Sequence, residues 1–214
     1  MPPGSPARAG SGGDRDRIRL PRHSRACRCR RFLAGYRCPY NILIAVHDIV
    51  IRHSQPSDLD GIVAIYRERH AYSNTLQMPY ASKAQWERRL ANDSPRVISL
   101  VAVLADELVG QLTLEQNENL RRRHVATFGM GVLAAQTGRG VGSRLLEAAL
   151  DLADNWLNVE RTEIEVYVDN ASAIALYKKY GFDIEGTMQK YAFRNGSYVD
   201  AHAMARFRHG PHET

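Results

Sequence analysis

The chain has 214 residues, of which 44% are hydrophobic and 24% charged, a composition typical of globular proteins. No apolar run reaches the roughly 18 residues that a membrane-spanning helix needs, so no membrane partner is expected. The formal net charge of +6 is concentrated at one end, because residues 1–48 contain ten arginines and only three aspartates. The rest of the chain is close to neutral, which disfavours a nucleic-acid-binding domain there.

Residues 1–48 are rich in Arg, Gly, Pro and Ser and show no apolar period, which predicts a disordered extension. Three other interpretations stay open as minor alternatives: a twin-arginine export signal, a basic nucleic-acid arm, and a metal site at Cys27, Cys29 and Cys38. The preferred hypothesis is a mispredicted start codon, because arginine without lysine is typical of GC-rich DNA translated without selection for a fold. Translation would then begin near residues 46–50. The three cysteines all lie in this segment, so the remainder suits a reducing cytoplasm.

One domain is predicted over residues 49–208, followed by a tail at 209–214, with elements in the order β, α, α, β, β, β, α, β, α, β, β. Ser57 is the predicted N-cap of the first helix, and Ser82 with Gln85 forms a capping box for the second. The later helices are expected at 141–156 and 170–182, the last with Asn170 as N-cap and Gly181 as C-cap. Strands are predicted at 49–52, at 96–116 on both sides of a turn at 105–107, at 124–133, at 161–170, and at 188–207 on both sides of an Asn195–Gly196 turn.

Glycines mark the strand at 124–133 and the loop that follows it. Gly129 and Gly131 interrupt the strand, and this predicts a bulge or a close backbone approach. In the loop, "TGRGVG" (137–142) precedes a helix directly. A Walker loop would need a lysine after the last glycine, and a dinucleotide-binding loop would need its third glycine elsewhere. Backbone amides of residues 138–143 at a helix N-terminus suit a pyrophosphate, although a tight turn without a ligand remains the alternative.

Two longer segments give the loop a family context. "GVLAAQTGRGVGSRLLEAAL" followed by "IEVYVDNASAIALYKKYGF" resembles motifs A and B of the GNAT superfamily of acetyl-CoA-dependent N-acetyltransferases, and the resemblance covers roughly residues 49–207. "NTLQMPY" and "EGTMQKYAFRNGSYVDAHAMAR" resemble a bacterial subgroup, the L-amino-acid N-acetyltransferases. The resemblance implies a mixed α/β (α+β) fold, with a central sheet of about seven strands and four helices. Acetyl-CoA is the implied co-substrate, and no metal is expected.

The resemblance also implies which residues bind coenzyme A. The backbone beginning at Val132 would pair with the pantetheine arm like an added strand, and the glycine loop would hold the pyrophosphate. Thr137 stands where the family has Arg or Gln, and Gln136 lies one residue early. The expected cofactor-binding residues are Val132, Leu133, Ala134, Gly138, Arg139, Gly140, Val141, Gly142, Ser143, Asn170, Ala173 and Tyr177.

Two residues carry the implied chemistry. Tyr177 corresponds to the family tyrosine that protonates the departing thiolate, with a purely structural role in the core as the alternative. Glu165 is the expected general base, acting directly or through water, and Glu115 and His124 are weaker rivals. The domain contains no cysteine that could form an acyl-enzyme, so direct transfer in a ternary complex is favoured.

The acceptor pocket is expected between the loop 73–80 and the hairpin 190–200, with Asn74, Leu76, Met78 and Tyr191 as candidate contacts. The predicted reaction moves acetyl to a primary amine, the α-amino group of a small free L-amino acid. The alternatives are acetylation of a protein or peptide, a CoA-binding regulatory module without turnover, and a nucleic-acid binder that uses the arginine arm. A small-molecule amine is the expected partner, and a homodimer stays open.

Overall fold

The computed structural model describes residues 48–91 and 94–208. The predicted extension at 1–48, apart from Asp48, and the predicted tail at 209–214 lie outside these residues. The strands are β1 (Val50–His53), β2 (Val97–Leu104), β3 (Glu107–Gln116), β4 (Val125–Val132), β5 (Arg161–Tyr167), β6 (Asp183–Arg194) and β7 (Ser197–Phe207). The α-helices are α1 (Leu59–Arg67), α2 (Arg69–Ser73), α3 (Lys83–Leu90), α4 (Val141–Asn155) and α5 (Ala171–Lys179).

The strands of the described residues form one seven-stranded sheet in the order β1-β2-β3-β4-β5-β7-β6. Neighbours pair antiparallel except β4 and β5, which are parallel and are connected through α4. This confirms the predicted mixed α/β fold, and the seven strands follow one another along the chain as predicted. The five-residue helix α2 was not predicted, because it is too short to show an apolar period.

Helices cover both faces of the sheet. On one face, α4 buries an apolar stripe that includes Leu145 and Leu146, both fully buried, against Leu112 of β3. Helix α5 packs against the same cluster. On the other face, α1 and α3 meet through stacked rings of Tyr66 and Trp86, with centroids 4.4 Å apart. Full burial of a leucine side chain contributes roughly 1.5–3 kcal/mol, so these two buried clusters stabilise the packing of the helices on the sheet.

The predicted element ends were partly right. The Asn170 side chain accepts a hydrogen bond from the Ala173 N–H (3.2 Å) as an N-cap, and Asn195–Gly196 turns the β6–β7 hairpin with positive φ at both residues. The Ser57 cap is wrong: Ser57 lies inside a 3-10 turn, Pro56–Asp58, that leads into α1. Ser82 is the N-cap residue of α3, but its side chain accepts no capping hydrogen bond, so the capping box is wrong as well.

Candidate active site

A cavity opens where β4 and β5 separate. Their parallel pairing covers only Val125–Thr127 opposite Arg161–Glu163. Beyond this point β4 stays bonded to β3, since the Leu133 N–H still donates to the Val109 carbonyl (3.0 Å). Alternate backbone groups of a strand point to opposite sides, so those of Phe128, Met130 and Val132 face the gap. The resulting cavity has a volume of about 620 Å3.

The two glycines of β4 shape this gap. Pairing between β3 and β4 runs without a shift from residue 126 to 132, so the predicted bulge is wrong. The alternative, a close approach, holds at Gly131, where an added Cβ would lie 2.9 Å from the Tyr66 ring. At Gly129, which lines the cavity, an added Cβ would meet nothing within 4 Å. One glycine therefore lets Tyr66 pack against the strand, and the other leaves the cavity wide.

The glycine loop forms one end of the cavity. Gly138 (φ 77°) and Gly140 (φ 86°) adopt the left-handed backbone conformation that favours glycine, and α4 begins directly after Gly140. Within the described residues, no acceptor is bonded to the N–H groups of five loop and first-turn residues: Gly138, Gly140, Val141, Gly142 and Ser143. Arg139 differs, because its N–H donates to the Gln136 carbonyl (3.3 Å). Unbonded amides at the positive end of a 15-residue helix form a site suited to an anion.

Of the other predicted coenzyme-binding residues, some line the cavity and others do not. Val132 lines the cavity, whereas Leu133 and Ala134 do not. The Leu133 N–H is bonded to β3, and the Ala134 N–H donates to the Glu68 carboxylate (2.8 Å). Asn170, Ala173 and Ser143 line the cavity, while the side chains of Val141 and Arg139 lie outside it.

Tyr177 reaches the cavity from α5. Its side chain is 6% exposed and its ring packs edge-on against Phe128, with centroids 5.5 Å apart, and against Phe182 at 5.8 Å. The hydroxyl has no hydrogen bond to any described residue. Burial raises the pKa of Tyr177 to about 12, so the hydroxyl is protonated at neutral pH and can act as a donor.

Among the described residues that line the cavity, Glu165 is the one with a carboxylate side chain. It lies on β5 just beyond the last residue paired with β4, is exposed, and bonds to no described side chain. Its neighbour Glu163 is instead held in ion pairs with Arg122 (2.8 Å) and Arg161 (2.7 Å). The rival bases Glu115 and His124 do not line the cavity. Burial and then the charge of Glu165 raise the pKa of Tyr191, which lines the same cavity.

The opposite end of the cavity is built by α2, the segment after it and the β6–β7 hairpin. Asn74, Leu76 and Tyr191 line it as predicted, but Met78 points away and is 77% exposed. The Tyr167 hydroxyl donates to the Thr75 carbonyl (3.3 Å) and so ties this segment to β5. Further lining residues were not named as contacts in the sequence analysis, among them Tyr66, His70, Thr75, Gln77, Tyr167 and Ser172.

Residues 48–91 and 94–208 contain no cluster of three or more His, Cys, Asp or Glu residues that could hold a metal ion. They also contain no helix long and apolar enough to cross a membrane.

Comparison with known proteins decides the family. The sequence profile of the Acetyltransferase (GNAT) family matches residues 60–182. The chain belongs to this family. This GNAT protein is 48% identical over 161 residues to an L-amino acid N-acetyltransferase of Escherichia coli strain K12, an alignment that covers 75% of this chain and 99% of that protein. It is therefore an N-acetyltransferase.

Solved structures agree with the fold of this GNAT chain. A GCN5-related N-acetyltransferase from Kribbella flavida superposes with a TM-score of 0.68 at 27% identity, over 76% of this chain and 99% of that one. A phosphinothricin acetyltransferase from Sinorhizobium meliloti, solved in complex with AcCoA, also gives a TM-score of 0.68. Its identity is 21%, over 75% of this chain and 88% of that one.

Proposed function

We propose that this GNAT enzyme transfers acetyl from acetyl-CoA to the α-amino group of a free L-amino acid, by direct attack in a ternary complex. One observation carries the proposal. The gap between β4 and β5 collects unbonded helix-end amides, an open strand edge, the Tyr177 hydroxyl and the Glu165 carboxylate in one cavity. These four features supply anion binding, an extended binding edge, a proton donor and a proton acceptor.

Acetyl-CoA fits the loop end of this cavity. The N–H groups of Gly138, Gly140 and the first turn of α4 can donate to a pyrophosphate, and the helix dipole favours its charge. The open edge of β4 at Met130 and Val132 can pair with the amide groups of the pantetheine arm, as an added strand would. This assignment shifts the expected pairing from Leu133 and Ala134, whose N–H groups are already bonded, to the preceding residues of β4.

Tyr177 then acts on the leaving sulfur. When the amine attacks, a C–N bond forms, the C–S bond breaks and negative charge moves to sulfur. Complete proton transfer from a hydroxyl with a pKa of about 12 to a thiolate of pKa about 8.5 would cost about 5 kcal/mol. The proposed role of Tyr177 is therefore a hydrogen bond that stabilises sulfur as the bond breaks, with the thiol taking its proton finally from the acetylated nitrogen or from solvent.

Glu165 is the proposed proton acceptor. An acceptor amine is protonated at neutral pH and cannot attack until it loses a proton. Glu165 is the carboxylate that lines the cavity, and it is not neutralised by an ion pair, in contrast to Glu163. It can both attract the ammonium and accept its proton, directly or through one water molecule.

The acceptor class follows from the α2 end of the cavity and from the similar E. coli enzyme. Leu76, Tyr66 and Tyr167 contribute apolar surface to the cavity that Glu165 also lines, which suits an amino acid with an apolar side chain. The 48% identical protein is an L-amino acid N-acetyltransferase, and the alignment spans nearly its whole length.

An acceptor screen tests the proposal. CoA release from acetyl-CoA is measured with free L-amino acids, their carboxamides, short peptides and a polyamine, with Glu165→Gln in parallel. Free amino acids should be the fastest acceptors, and Glu165→Gln should slow all of them. Turnover only with peptides would reassign the acceptor class. Binding of acetyl-CoA without turnover on any amine would indicate a regulatory module instead.

A further inference from the structure

Few side chains that can carry a charge near neutral pH line the cavity. Of its lining side chains within the described residues, only Glu165 and His70 belong to types that can be charged near neutral pH. The tyrosines do not change this, because burial raises the pKa of Tyr177 and of Tyr191. A free α-amino acid likewise carries one ammonium and one carboxylate, so its charges complement this pair.

His70 lies in a segment that is held firmly in place. Before it, the Glu68 carboxylate accepts from the Ala134 N–H (2.8 Å). After it, the Asn74 side-chain amide donates to the His70 carbonyl (2.9 Å), and Arg194 donates to the Ser73 carbonyl (3.0 Å). The His70 imidazole itself bonds to no described residue. The backbone of α2 is therefore anchored, and both nitrogens of the His70 ring are available to a ligand.

Two arginines near this end of the cavity are engaged by other residues. Arg194 pairs with Asp169 and lies over the Tyr167 ring, 4.9 Å from its centroid. Arg89 donates to Gln77 (2.7 Å) and covers the Trp86 ring. Neither arginine lines the cavity, so His70 is the group there that can donate a charge-assisted hydrogen bond to a carboxylate.

We propose that His70 determines acceptor specificity by donating a hydrogen bond to the α-carboxylate while Glu165 takes the α-ammonium. This inference rests on the proposed function and adds the reason for preferring a free amino acid. A peptide N-terminus has no carboxylate at that position, and a polyamine would bring a second ammonium to a cavity with one carboxylate. A peptide should therefore be a poor acceptor because it lacks the contact with His70. A polyamine should be a poor acceptor because its second ammonium would have no carboxylate partner in the cavity.

The test compares one amino acid with its own carboxamide. For the free amino acid that the screen ranks first, kcat/KM is measured against its amide for the wild type, His70→Gln, His70→Lys and the control Arg69→Gln. Arg69 is the next residue on α2, also exposed, and does not line the cavity. Loss of a charge-assisted hydrogen bond should lower kcat/KM for the acid about 10- to 100-fold in His70→Gln and leave the amide within about threefold. His70→Lys should restore the preference for the acid, and Arg69→Gln should resemble the wild type.

Two failures can be told apart. If the wild type acetylates no free amino acid, the proposed function fails and the role of His70 fails with it. If the wild type acetylates amino acids but His70→Gln slows acid and amide equally, only the specificity role is overturned. His70 is exposed, so an unchanged melting temperature should accompany either result.

Discussion

Replacing Tyr177 with phenylalanine removes one hydroxyl and keeps the ring that packs against Phe128 and Phe182. Because that hydroxyl bonds to no described residue, its loss should change the free energy of unfolding by no more than about 1 kcal/mol. The proposed hydrogen bond forms fully only as charge develops on sulfur. Removing such a donor costs about 3–4 kcal/mol of transition-state stabilisation, so kcat should fall about 10²- to 10³-fold.

CoA release at saturating acetyl-CoA measures the change, and single-turnover mixing separates chemistry from product release. The Kd of acetyl-CoA should stay within about twofold, since the contact is absent from the ground state. The raised pKa of about 12 also keeps the wild-type hydroxyl protonated to about pH 11, so a fall in rate below that pH must come from another group. Single-turnover rates within twofold of the wild type would remove Tyr177 from the reaction.

Three further predictions concern the loop, the base and an ion pair. Gly138→Ala and Gly181→Ala both place a Cβ at positive φ in open space, so each should lower the free energy of unfolding by about 1 kcal/mol. Only Gly138→Ala should also weaken acetyl-CoA binding, with a Kd about 10-fold higher in calorimetric titration. An equal Kd in both would contradict the loop assignment. Glu165→Gln should lower kcat/KM about 10²-fold at pH 7, and its pH–rate profile should approach the wild type as the substrate amine deprotonates; a constant deficit would argue against a base. Arg52 donates two hydrogen bonds (2.7 and 2.8 Å) to Asp58 and so lowers the pKa of that carboxyl. The contribution of this ion pair to stability is therefore complete above the unfolded-state pKa of Asp58, and it is lost as the pH falls through the folded-state pKa. Arg52→Met should thus lower the free energy of unfolding by about 1 kcal/mol in denaturant titrations at pH 7, and by progressively less as the pH falls through the folded-state pKa of Asp58. A cost independent of pH would refute the pairing.

The sequence predicted those features that depend on neighbouring residues. Alternation and helical period located the strands and the longer helices, and the local chemistry of Asn170 and Asn195–Gly196 predicted a cap and a turn. The glycine loop was located for the same reason, since its backbone conformation depends on two glycines within three residues.

The misses came from contacts between distant residues. The ion pair with Arg52 holds Asp58 in a 3-10 turn and moves the start of α1 past Ser57. In the sequence, Gly131 suggested a bulge. In the structure, glycine is needed there because Tyr66, 65 residues earlier, packs against this position and leaves no room for a Cβ. Glu68 bonds the Ala134 N–H across the fold, which no local pattern in the sequence indicates.

The acceptor end was the hardest part to predict. Its walls are a five-residue helix and a loop, neither of which has a period that shows which side chains point inward. Leu76 and Met78 are both large apolar residues of the same loop, yet only Leu76 lines the cavity. His70 gave no signal either, because a single histidine in a short polar segment matches no catalytic or binding motif.

In the proposed reaction, acetyl passes directly from acetyl-CoA to the α-nitrogen of a free amino acid, without an acyl-enzyme. The most direct measurement follows an isotopically labelled acetyl group from acetyl-CoA, with the small-molecule product analysed by NMR and the intact protein by mass spectrometry. Label should appear on the α-nitrogen of the free amino acid, and the protein should stay unacetylated at every time point. Label that appears first on the enzyme, or only on peptide amines, would contradict the proposed reaction.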